Sequence, residues 1–74
     1  MPQLPILSGK EIIKTLGKIG YREVRQRGSH VRLEYPGKKS ITIPDYSTVD
    51  RGLLRKILRD AGLTPEEFVA LLQS

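Results

Sequence analysis

Apolar residues in the first part of the chain recur at helical intervals. Ile12, Ile13, Leu16 and Ile19 fall three or four apart, while Lys10, Lys14 and Lys18 repeat every four on the polar side. Ser8 precedes this run and Glu11 follows three residues later, which is capping-box spacing; Gly20 is placed to stop the helix. The period then shortens to two. Alternating apolar and polar positions, interrupted at Gly28-Ser29 and at Pro36-Gly37-Lys38, predict strands over Tyr21 to Arg27, His30 to Tyr35 and Lys39 to Ile43. Helical spacing returns with Leu53, Leu54, Ile57, Leu58 and Ala61, behind Asp50 as cap and before Gly62 as stop. Thr64 and Pro65 then open a short last helix that has Phe68, Val69, Leu71 and Leu72 to bury.

The turns fix which strand residues face each other. Gly28-Ser29 suits a two-residue loop of type II′, because glycine accepts the positive φ of its first position. That register sets Arg27 opposite His30, Arg25 opposite Arg32, Val24 opposite Leu33 and Glu23 opposite Glu34. In the second hairpin, a two-residue loop would put Ile41 opposite Arg32 and mix the faces. A three-residue loop puts Ile41 opposite Leu33 and Ile43 opposite Val31, so the hydrophobic pattern selects it. Val24, Val31, Leu33 and Tyr35 are then expected on the core face, with Gln26 near its edge; Arg25, Arg27, His30 and Arg32 share the other face. The element order α-β-β-β-α-α predicts an α+β fold, with helices on one face of a three-stranded antiparallel sheet. One small core and one domain are expected over residues 1–74, with 1–7 expected to fray.

Charge adds a partner class. Thirteen Lys and Arg against eight Asp and Glu give +5 on 74 residues, a field suited to polyanions. No cysteine is present, which fits a reducing cytoplasm, and the N-terminal residues do not resemble a leader peptide. No apolar run reaches membrane-spanning length. The expectation is a cytoplasmic protein with no membrane association.

His30 is the single histidine, and an imidazole exchanges protons near neutral pH. Set among arginines, it could take the proton of a ribose 2′-hydroxyl while the guanidinium groups stabilise the phosphoryl charge. DNA lacks that hydroxyl, so this route is confined to RNA. The plain alternative is a solvated or base-stacking histidine on a wet sheet face. One histidine and no cysteine supply no metal-ligand cluster, and neither a phosphate-cradling glycine loop nor a Ser-His-Asp set is discernible. No cofactor is called for. Arg51, Arg55 and Lys56 on the second helix are either its solvated face or clamps for phosphate near the helix start. Lys10, Lys38 and Lys39 are further candidate backbone contacts. Tyr46 either stacks on a base or packs against the sheet edge.

The stretches "SGKEIIKTLGKIGY", "RQRGSHVRLEYPGKKSITIP" and "GLLRKILRDAGLTPEEFVALL" resemble the HicA (YcfA-like) mRNA interferase toxins. The likeness runs from Ser8 to Leu72, and Gly28-Ser29-His30 is its most specific element. It implies a fold like that of double-stranded-RNA-binding domains, metal-independent endoribonuclease activity on mRNA, and His30 as the catalytic residue presented by Gly28 and Ser29. It also implies a HicB-like antitoxin that covers the site, with a monomeric toxin when free. The chain departs from the family pattern at Val31 and in the loop from Asp45 to Asp50. Two other readings use the same residues: a module that binds duplex RNA without turnover, and an interaction subunit for an acidic protein.

Overall fold

The computed structural model describes residues 4–74. Helix α1 (Gly9–Gly17) leads into strands β1 (Arg22–Arg27), β2 (His30–Glu34) and β3 (Ile41–Pro44), followed by helices α2 (Arg51–Ala61) and α3 (Pro65–Gln73). The strands form one antiparallel sheet in the order β1-β2-β3, as the periodicity predicts. Among the described residues, no helix is long and apolar enough to cross a membrane.

Each helix is closed by local chemistry. The Ser8 hydroxyl accepts the Glu11 N–H at 3.2 Å, and the Glu11 carboxylate accepts the Ser8 N–H at 3.1 Å. The Asp50 carboxylate accepts the Leu53 N–H at 2.8 Å. At the other end of α2, Gly62 takes the left-handed conformation, and the Leu63 N–H reaches back to the Leu58 carbonyl. A second capping box joins Thr64 and Glu67 at the start of α3. Two lysines finish the C-terminal ends, where the unpaired carbonyls attract cations. Lys38 Nζ donates to the Ala61 carbonyl of α2 at 3.2 Å, and Lys18 Nζ donates to the Leu71 carbonyl of α3 at 2.7 Å.

The core lies between the helices and one face of β2 and β3. Ile12 and Leu16 of α1, Leu54, Ile57, Leu58 and Ala61 of α2, and Phe68 of α3 bury against Val31, Leu33, Ile41 and Ile43. The β2–β3 register is the expected one, Val31 opposite Ile43 and Leu33 opposite Ile41. Regular pairing begins at Ile41, two residues later than the expected Lys39, and extends to Pro44 opposite His30. Proline is tolerated there because β3 is an edge strand. Gly9 starts α1 directly over this strand end, where a Cβ would collide with the Pro44 carbonyl.

Two expectations are corrected. Of the N-terminal stretch expected to fray, residues 1–3 lie outside the described residues, and the rest is docked. Leu4 and Leu7 are buried, and Leu7 makes a β-bridge with Val49. The second correction concerns β1. Its pairing runs Arg22–Glu34, Glu23–Leu33 and then Arg25–Arg32, so Val24 is the extra residue of a β-bulge. Val24 is therefore not opposite Leu33 and not in the core; it is 51% exposed. Every residue of β1 is exposed, so burying Val24 there would bring little gain. The bulge also replaces the expected Glu23–Glu34 juxtaposition with Arg22 opposite Glu34, a pairing of unlike charges.

Truncating Val24 to alanine is expected to change stability by less than about 0.5 kcal/mol, whereas Leu33→Ala should cost about 2–5 kcal/mol. Urea denaturation compares the two, and similar losses would contradict the bulge. The Glu67 carboxyl is held below its ordinary value, chiefly by the Thr64 backbone N–H and then by the Thr64 hydroxyl. A depressed folded-state value adds stability that is present above the unfolded value and lost as pH falls through the folded one. The advantage of wild type over Glu67→Gln should thus be steady near neutrality and shrink below the ordinary value of 4.5. Thermal melts across that range check the sign.

Candidate functional site on the open sheet face

His30 is the first residue of β2, immediately after the tight turn. Gly28 has φ of 54°, while Ser29 does not have positive φ, as expected of a type II′ Gly28-Ser29 turn. Because Val31 and Leu33 turn inward, His30, Arg32 and Glu34 must turn outward. Pairing then sets Arg27 beside His30 and Arg25 and Thr42 on either side of Arg32. Arg25, Arg27, His30, Arg32 and Thr42 line a shallow concavity of about 230 Å³ on the face that bears no helix. Thr42 is an addition to the expected set, and its place was already implied by the Leu33–Ile41 register.

The electrostatics favour an anion. Arg32 Nε lies 3.4 Å from the Glu34 carboxylate, with both side chains half exposed, and its Nη2 donates to the Ser40 hydroxyl at 3.3 Å. An ion pair so exposed contributes at most about 1 kcal/mol, so an entering phosphate can displace it. Among the described residues, Arg25 and Arg27 have no carboxylate at salt-bridge distance. Also among the described residues, no group of three His, Cys, Asp or Glu side chains could hold a metal ion.

Residues 9–63 match the family model of the HicA toxin of bacterial toxin–antitoxin systems. The chain belongs to the HicA toxin family. Membership implies an antitoxin partner. A search of curated proteins gave no match. The matched segment holds α1, the whole sheet and α2, hence every residue of the concavity; the buried Leu4, Leu7 and Phe68 of this HicA chain lie outside it.

The remaining candidates scatter. Tyr46 does not line the concavity but stands next to His30 at its side: its ring centre is 6.5 Å from that of His30 at an interplanar angle of 70°, and the residue is 48% exposed. Lys10 lines a different hollow of about 310 Å³, with Ile13, Lys14, Glu23 and Asp45. Lys56 sits at the β3 edge in a hollow that shares Thr42 with the arginine concavity. Arg55 is exposed on α2. Lys38 is occupied by the end of α2, and Lys39 pairs with Asp60 at 3.7 Å. Arg51 turns inward, its Nε donating to the Leu4 carbonyl at 2.6 Å. Sequence periodicity could not anticipate that bond, because it joins residues 47 apart in the chain.

Arg51 is accordingly expected to act on stability. Arg51→Ala should lower the unfolding free energy by about 1.5–3 kcal/mol, the cost of losing a charge-assisted hydrogen bond to a partly buried carbonyl. Chemical denaturation reads the loss.

Proposed function

We propose that this HicA-family chain is a toxin that cleaves mRNA as an endoribonuclease, with His30 as its proton-transfer residue. The supporting observation is the concavity itself, where the lone imidazole and three guanidinium groups meet on the sheet face that no helix covers. Arg25, Arg27 and Arg32 hold the phosphate, Thr42 offers a hydroxyl to it, and the Gly28-Ser29 turn fixes the imidazole at the strand start. His30 takes the proton of the ribose 2′-hydroxyl. The freed 2′-oxygen attacks the adjacent phosphorus, and the bond from phosphorus to the 5′-oxygen breaks. The departing oxygen receives a proton from the imidazolium or from water, leaving a cyclic phosphate and a 5′-hydroxyl. The arginines neutralise charge that grows on the phosphoryl oxygens during attack.

This route takes its protons and its charge from side chains, so it needs neither metal nor cofactor. Lys10, Arg55 and Lys56, exposed around the body, supply weaker contacts to more distant phosphates. The antitoxin, a HicB-like protein, would silence the chain by covering the concavity, and the free toxin would act as a monomer in the cytoplasm.

Labelled mRNA incubated with wild type and with His30→Ala in EDTA tests the reading. Wild type should cleave, and the variant should lose about 10²–10⁴-fold in rate while still binding RNA. Equal cleavage by both would remove His30 from the mechanism. Binding by both without cleavage by either would leave an RNA-binding module of the same fold.

A further inference from the structure

Tyr46 is one of three large apolar residues that the described chain leaves exposed, with Ile6 and Val24. It belongs neither to the buried core nor to the partly buried shell around it. Folding therefore does not explain why an aromatic ring stands at this point. Its backbone, in contrast, is tied down on both sides. The Asp45 N–H donates to the Ser29 carbonyl at 2.6 Å, joining this segment to the turn that carries His30. The Tyr46 carbonyl accepts the Gly9 N–H at 2.9 Å, which joins it to the first residue of α1. That approach is close because position 9 has no Cβ to meet Pro44. The ring is thus exposed, yet its attachment is fixed relative to His30.

We infer that Tyr46 is a nucleobase-stacking subsite, which takes the base of a nucleotide whose phosphate lies among Arg25, Arg27 and Arg32. A nucleotide presents an anion and a flat π-face close together, and this edge of the sheet presents a guanidinium cluster and a flat ring close together. The angle between the rings assigns them different tasks. A base lying parallel to Tyr46 stands at about the same 70° to the imidazole and cannot stack on it. His30 is left to face the ribose. Because the attachment is already ordered, little conformational freedom is lost when the base docks. Stacking accepts any base, so the subsite adds affinity with a preference for the larger purine face and no strict sequence code.

The subsite deepens the proposed nuclease reading, but its test does not need cleavage. A labelled 2′-O-methyl RNA oligonucleotide lacks the attacking hydroxyl and stays intact; its binding can be followed by fluorescence anisotropy, with inorganic tripolyphosphate as competitor. Tyr46→Ala should weaken oligonucleotide binding roughly tenfold or more. Tyr46→Phe should bind as wild type, and the tripolyphosphate affinity should be unchanged in both variants. Wild-type binding by Tyr46→Ala would overturn the inference. Equal weakening in Tyr46→Phe would assign the effect to the hydroxyl, and parallel loss of tripolyphosphate binding would assign it to the arginine cluster; either overturns it as well. If wild type binds in the expected pattern but cleaves no mRNA, the nuclease reading falls and the subsite stands. If wild type binds no oligonucleotide, both fall.

Discussion

The pairing of β2 with β3 is the constraint on which the molecule turns. Val31 against Ile43 and Leu33 against Ile41 bury four aliphatic side chains in the layer beneath the helices. Each is worth roughly 1.5–3 kcal/mol when taken fully from water. A slip of one residue would send His30 and Arg32 into that layer and expel Val31 and Leu33. The same alternation that builds the core therefore aims the imidazole and the guanidinium groups outward, and the core cannot form in that register without displaying the site.

The positive charge of the chain divides into two kinds of use. Lys18 and Lys38 close helix ends, Arg51 holds the Leu4 carbonyl, and Lys39 leans on Asp60. These cations serve the fold. Arg25 and Arg27 stand on a strand without buried residues and reach no carboxylate among the described residues. A net charge of +5 is thus less informative than its location, since of the three arginines beside His30 only Arg32 has a carboxylate partner, and that ion pair is half exposed.

The core also extends past the family segment. Phe68 from α3 is fully buried, and Leu4 and Leu7 enter the same cluster from the other end of the chain. A short chain segment without disulfides has few other places to find apolar area. Among the described residues, no helix packs on the open sheet face. The exposure of the candidate site and the burial of Leu4, Leu7 and Phe68 are two sides of one distribution of apolar surface.

Local signals were legible because their physics is local. Ser8 with Glu11, Asp50, Gly62, the Gly28-Ser29 turn and the register of the second hairpin each follow from residues near one another in the chain, so spacing alone determined them, and with them the face on which His30 emerges. The Val24 bulge was not legible. Alternation assumes that each β1 residue has a core to face, and only the assembled helices, packed on β3, leave β1 without one. The partner of Arg51, the docking of Leu4 and the approach of Tyr46 to His30 likewise join segments distant in the chain. They depend on where helix and strand ends come to rest, which no periodicity records. The sequence by itself determined the elements, the register of β2 with β3 and the chemistry offered outward; the tertiary structure decided the bulged register of β1, which cations remain available and which aromatic ring stands beside the imidazole, because these follow from contacts made only after the layers close.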